Sequence, residues 1–163
     1  MIDRRRALQC LAAALGAGAG AAPAWAVLDA SERLLPTASD LRLSLAAARK
    51  QGQPLVVLAT LHGCPFCKVA RENYLLPAVK EGAVVTQLHF LSSLPIVDGS
   101  GKTTTHGQLI KDWRIEVAPT VLFIGADGAE VAPRLTAGST SDFYGAYLDE
   151  RLTQARAAAR SRT

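Results

Sequence analysis

Two cysteines spaced by two residues, Cys64 and Cys67 in Gly63-Cys64-Pro65-Phe66-Cys67-Lys68, stand where an apolar run meets a helical pattern. Leu55 to Leu61 is uncharged and rich in Val and Leu, as a buried strand requires. From Cys64 to about Glu81 the apolar residues Val69, Ala70, Tyr74, Leu75 and Val79 recur among charged ones at helical spacing. A cysteine at the start of such a helix has its sulfur beside unpaired N–H groups and the positive end of the helix dipole, which favour thiolate over thiol. Cys67, one turn further in, is close enough to close a disulfide with Cys64 and is expected to be far less exposed. An attacking and a resolving cysteine make a reversible redox pair.

The alternative use of such a pair is a structural staple. A four-residue loop gives about 2 kcal/mol by chain entropy, against ~4.7 kcal/mol for a loop of ~100 residues, so chemistry is the stronger explanation. The third cysteine, Cys10, precedes an apolar run and is expected to leave with a signal segment. Arg4, Arg5 and Arg6 lead into an alanine- and leucine-rich stretch from Leu11 to about Ala22, and Ala24-Trp25-Ala26 offers a small-x-small cleavage site. That run is too short for a stable span, which needs ~20 strongly apolar residues. The adjacent arginines leave both the general and the twin-arginine export routes open. The mature chain then keeps only Cys64 and Cys67, in a compartment where disulfides persist.

The elements that must position the pair follow a simple order. Val27 to Pro36 has no clear period and is expected to be extended or loosely packed, within a lead-in at residues 27–38. Ser39 or Thr37 caps a helix to about Lys50, with Leu41, Leu43, Leu45 and Ala46 to Ala48 on its apolar side, stopped by Gln51-Gly52-Gln53-Pro54. After the redox helix, which Pro77 should kink or split, Ala83 to Leu91 is a second strand and Ser92 to Thr105 a long loop. Thr103, Thr104 or Thr105 caps a short helix to about Trp113; Ala118 to Ile124 is a third strand. Ala126-Asp127-Gly128 turns into an edge strand, Glu130 to Leu135, in which Pro133 is tolerated. Ser139 or Ser141 caps a last helix with Phe143, Tyr147, Leu148 and Leu152 in one stripe, fraying beyond Ala155. The result is one α/β domain over residues 39–155 with a short tail at 156–163, its early strands parallel and its last two an antiparallel hairpin.

Charge argues against a nucleic-acid partner. The net charge is +4, of which residues 1–26 hold +2, and the remainder shows no basic stripe interleaved with aromatics.

The apolar strand, Cys64-Pro65-Phe66-Cys67, Val117-Ala118-Pro119-Thr120 before a second apolar strand, Ala126-Asp127-Gly128 and Gly138 together resemble the thioredoxin superfamily over about Asp40 to Arg151. With the signal segment the chain looks most like periplasmic thioredoxin-like proteins of the SoxW, TlpA and DsbE kinds. The resemblance implies a thioredoxin fold, with a central mixed sheet and helices on both faces. It implies a cis peptide before Pro119, with Ala118 offering its backbone to an extended client and Pro119 shaping the groove and keeping metal from the thiols. It further implies a periplasmic thiol–disulfide oxidoreductase with no cofactor beyond the Cys64–Cys67 disulfide. Cys64 and Cys67 would be catalytic, and Pro65, Phe66, Ala118 and Pro119 would contact the client. Its partners would be client thiols and disulfides and a membrane electron donor, and a monomer is expected. The leaning is toward reductant; a disulfide-forming oxidant is the alternative within the fold.

Departures from the family pattern matter. The buried Asp that thioredoxins carry six residues before the first cysteine is Leu58 here, so a water or a nearby polar group must take its role, or the pair works without it. The usual preceding Trp is replaced by His62-Gly63, and His62 either favours a Cys64 thiolate or is a solvated rim residue. Lys68 is read as a surface lysine, His89 as a satisfied core or edge histidine, His106 as a surface one, and Trp113 and Phe123 as core. Two rivals stand beside the redox reading. One is a copper or zinc chaperone using both sulfurs with His62 or His106; the other is a client-binding module without turnover.

Overall fold

The computed structural model describes residues 30–136 and 143–161. A 3₁₀ turn, Ala30–Arg33, precedes α1 (Leu41–Lys50), β1 (Leu55–Thr60), α2 (Pro65–Val69), a π-helical turn (Ala70–Leu75), α3 (Leu76–Lys80) and β2 (Val84–His89). Then come β3 (Pro95–Val97), β4 (Thr103–Thr105), α4 (His106–Asp112), β5 (Thr120–Ile124), β6 (Glu130–Thr136) and α5 (Tyr144–Ser161). The main sheet runs β2-β1-β5-β6, with β1 parallel to β2 and antiparallel to β5, and β5 antiparallel to β6. This is the mixed sheet with a terminal hairpin that the element order predicts, and Pro133 lies in the edge strand.

β1 is central and buried along its whole length, which explains its unbroken apolar run. Strand alternation divides the core in two. Val56 and Leu58 join Val121, Phe123, Leu75, Leu148 and Leu152 on one face; Leu55, Val57 and Ala59 join Leu122, Leu41, Leu88, Leu109 and Ile110 on the other. Each fully buried Leu or Val contributes about 1.5–3 kcal/mol. These two faces hold β1 rigid up to Thr60, where the redox loop begins.

The helix after the loop is split, as Pro77 requires, but the break starts earlier than the proline. Lacking an N–H, Pro77 cannot bond the carbonyl four residues back, and Leu76 N–H reaches Arg71 O instead, an i to i−5 bond that makes the π turn. The widened turn buries Ala70, Arg71 and Leu75 and leaves Val69 and Val79 more exposed than their spacing implied.

Several local expectations need correction. Asp40, not Ser39 or Thr37, caps α1, its carboxylate accepting Arg42 N–H at 2.8 Å; Leu43 then faces solvent, and the buried side is Leu41 and Ala48. The expected long loop at 92–105 holds the β3–β4 hairpin, whose turn is tied by Asp98 accepting Ser100 and Lys102 N–H. α5 continues past Ala155 to Ser161; it buries Tyr144, Leu148, Leu152 and Ala155, while Phe143 and Tyr147 are exposed. Ser139, Ser141, Gly138, Cys10 and the expected signal segment lie outside the described residues. Among the described residues no helix is long and apolar enough to cross a membrane.

The largest correction concerns the described part of the lead-in, residues 30–38, which is not loose: four of its side chains are buried and its end is an extended stretch against the sheet. Ser31, Glu32, Leu35 and Ala38 are buried. Gln87 N–H donates to Pro36 O and Ala38 N–H to Gln87 O, so the segment pairs with the outer edge of β2. An exposed strand edge with unpaired N–H and C=O groups is thereby covered.

Candidate active site

The redox loop is short and determined by its backbone. Cys64 N–H donates to Leu61 O at 3.2 Å, making His62 and Gly63 the centre of a tight turn, and Gly63 takes a left-handed φ of +69°. Cys64 is the N-cap of α2: its Sγ accepts Cys67 N–H at 3.1 Å, with Pro65 in the first helical turn. Cys64 and Cys67 are disulfide-bonded, with Cα atoms 5.2 Å apart. Cys67 is 1% exposed and Cys64 is half-buried, the asymmetry expected of a resolving and an attacking sulfur.

β5 brings the second motif to the same place. Thr120 pairs with Ala59 near the end of β1, so Pro119 arrives beside the strand end that feeds Cys64. The Ala118–Pro119 bond is cis, and Thr120 Oγ1 donates to Val117 O at 2.7 Å to close the turn. Pro119 is buried and Ala118 half-buried; Pro65 and Phe66 stand out into solvent, Phe66 at 72% exposure. Leu61, Val69 and Val117 add exposed apolar surface on the segments that carry the two motifs. Lys68 pairs with Glu72 at 2.5 Å on the helix surface.

Two buried charged residues in this region escape a reading of the sequence alone. Glu32, from the 3₁₀ turn, accepts His62 Nδ1–H at 3.0 Å and Gly63 N–H at 3.1 Å, gripping the two residues before Cys64. Burial opposes its charge, but the His62 hydrogen bond, the Gly63 N–H and the imidazole's own charge prevail, holding the carboxyl below its ordinary range. Arg71, 1% exposed and one turn beyond Cys67, donates to Thr60 Oγ1 at 2.9 Å, Ser31 Oγ at 3.0 Å and Gln87 Oε1 at 3.2 Å. Gln87 Nε2 in turn donates to Glu32 O and Leu35 O. Arg71 had one visible signal, four residues after Cys67 on the buried stripe. Glu32 had none, lying in a stretch without periodicity.

The other histidines serve the scaffold. His106 is fully buried, contrary to the expected surface position: Nε2–H donates to Ala38 O at 2.8 Å and Nδ1 accepts His89 N–H at 3.1 Å. With both nitrogens engaged, it is not available as a metal ligand. His89 is a buried histidine stacked on His106 at 5.9 Å and bonded to Thr37 Oγ1, a satisfied core residue. Phe123 is fully buried and Trp113 partly so. Among the described residues no group of three or more His, Cys, Asp or Glu is placed to hold a metal ion.

A mixed sheet of this order, with a disulfide-forming pair where its central strand enters a helix, is the architecture of a thiol–disulfide oxidoreductase. Residues 41–151 match the family of thioredoxin-like domains, and the chain belongs to that family. Among solved structures it is similar to a DsbH oxidoreductase, at 12% identity over 73% of this chain and 85% of that one, with a TM-score of 0.51, a likeness of fold alone. It also matches a thioredoxin from Thermus thermophilus (25% identity, 73% and 85% covered, TM-score 0.47). The oxidised C-terminal domain of Neisseria meningitidis DsbD matches at 16% identity, with 71% and 98% covered and a TM-score of 0.48. No curated protein matches the sequence significantly.

Proposed function

We propose that this protein reduces disulfides in exported client polypeptides, with Cys64 as nucleophile and Cys67 as resolving thiol. The observation that carries the reading is the unequal placement of the pair: Cys64 half-exposed at a helix N-cap, Cys67 buried behind it. The N–H of Cys67 that meets Cys64 Sγ stabilises negative charge there, as does the helix dipole. In the reduced protein, Cys64 thiolate attacks one sulfur of a client disulfide, forming a mixed disulfide and releasing the other client sulfur as thiolate. Cys67, losing its proton, then attacks Cys64 Sγ, releasing the second client thiolate and leaving the Cys64–Cys67 disulfide. Two electrons from a dithiol donor, proposed to be a membrane protein, return the pair to the reduced state.

Phe66, Leu61, Val69 and Val117, all exposed, would supply the apolar surface for an extended client, and Ala118 and Pro119 would meet its backbone. The export reading rests on the arginine-led apolar run and small-x-small site within residues 1–26, removed to leave a monomeric periplasmic protein. Cys64→Ser should abolish reduction of a disulfide-bonded test protein with dithiothreitol as donor, and Cys67→Ser should accumulate a mixed disulfide visible on non-reducing gels. Equal trapping by both variants would overturn the nucleophile assignment. The equilibrium potential decides direction: a value near about −270 mV supports the reductant, and one near about −120 mV makes the protein a disulfide donor.

A further inference from the structure

Glu32 is a buried acid that the exchange steps above do not use, and it reaches the redox loop from a segment far away in sequence. Its contacts are specific. A carboxylate only accepts, so His62 must present Nδ1–H to it, and the same carboxylate takes Gly63 N–H. The imidazole is itself half exposed and sits two residues before Cys64 in the turn that Cys64 N–H closes. A carboxylate and an imidazole are thus held together on the two residues that precede Cys64.

We propose that Glu32 and His62 form a charge pair acting on Cys64, the carboxylate opposing its thiolate and the imidazolium favouring it, so that the pair sets the protein's redox poise. Resting on the reading of Cys64 as the attacking thiolate, the proposal gives the chain a buried acid at the redox loop although Leu58 stands where thioredoxins carry theirs. Other charges nearby stay in place. Arg71 is fixed through Ser31, Thr60 and Gln87; His89 faces Glu32 from β2; Lys68 is paired with Glu72; Arg33 follows Glu32 in the same turn. Glu32 and His62 are therefore positioning residues for reactivity, and their two charges predict opposite signs.

The test is iodoacetamide alkylation against pH in the full-length reduced protein, followed on the Cys64 peptide by mass spectrometry, alongside the Cys64–Cys67 potential in glutathione buffer. At a pH below the alkylation midpoint, Glu32→Gln should react roughly threefold to tenfold faster and His62→Gln slower by a similar factor. Stabilising the thiolate stabilises the reduced protein, so the potential should rise in Glu32→Gln and fall in His62→Gln. At alkaline pH Cys64 is thiolate in every variant and the alkylation rates converge, so the shifts are read below the midpoint and in the potential. Shifts of the same sign in both variants, as a purely structural disturbance gives, would overturn the charge pair, as would none. If Glu32→Gln does not fold, His62→Gln decides alone: slower alkylation below the midpoint with a lowered potential supports the pair, and an unchanged or raised potential overturns it. A wild-type protein with no reversible couple would instead sink the oxidoreductase reading, a different failure from an intact couple that these substitutions leave unmoved.

Discussion

His106 engages both ring nitrogens inside the protein, with Ala38 O and His89 N, whereas His62 engages one with a buried carboxylate and keeps its side chain half exposed. Both histidines bridge distant segments, and both tie the chain before α1 to the sheet end. The saturated one is locked in a single neutral tautomer, and burial holds its pKa below the ordinary histidine value despite the bond to Ala38 O. The half-exposed one keeps its other nitrogen toward solvent beside the residue that precedes Cys64. A histidine neighbour contributes to scaffold when its nitrogens are satisfied and dry; it contributes to chemistry when one nitrogen is anchored and the ring still meets water.

The strongest way to break the site side of this comparison is to remove what anchors Glu32. Arg71→Ala leaves Thr60, Ser31 and Gln87 without their buried donor and opens a cavity among them. Stability should fall by about 3 kcal/mol or more in chemical denaturation. Alkylation of Cys64 in the folded fraction should also change, because the 3₁₀ turn that carries Glu32 loses its Ser31 tether. A large stability loss with an unchanged alkylation profile would mean that Glu32 is held without Arg71.

On the scaffold side the effects should separate. His106→Ala strands His89 N–H and Ala38 O and should cost about 2 kcal/mol, with no change in Cys64 reactivity. The pH dependence has a definite sign. Burial, and for His89 also the charge of His106, keeps both rings neutral in the fold below the pH at which an unfolded chain protonates them. Unfolding then takes up protons, so stability is full above about pH 6.5 and is lost as pH falls toward the native values. Glu32 acts lower: its depressed pKa stabilises the fold above the ordinary carboxyl range, and that contribution is lost as pH falls through its native value. Thermal midpoints from pH 7.5 to 5 should decline in wild type and decline less in His106→Ala.

These same contacts show what the sequence could reveal. The strand, the cysteine pair, the Ala126–Gly128 turn and the edge position of Pro133 are written in adjacent residues, and a window of ten suffices to see them. Arg71 meets Ser31 across 40 positions, Gln87 meets Glu32 across 55 and His106 meets Ala38 across 68. No periodicity encodes such pairs, which is why the lead-in read as loose and His106 as superficial. The β3–β4 hairpin was hidden for another reason: three-residue strands are too short to show alternation, and Pro95, Gly99 and Gly101 look like loop. The absent Asp at Leu58 was legible; the buried Glu32 was not, because it reaches the redox loop through tertiary packing.

The smallest effect probes the link between the two halves of the site. Gly63 lies between His62 and Cys64 with φ +69°, and a Cβ placed there would meet no atom within 4 Å. Gly63→Ala therefore tests backbone conformation without a steric clash, and should cost about 1 kcal/mol from left-handed strain alone. Gly63→Asn, which tolerates that region better, should cost less. If the turn relaxes in the alanine variant, the Gly63 N–H bond to Glu32 lengthens and the alkylation profile moves toward that of Glu32→Gln. Equal costs for Ala and Asn would show that any side chain at this position disturbs the loop. In that case Glu32 grips it through His62 more than through the Gly63 backbone.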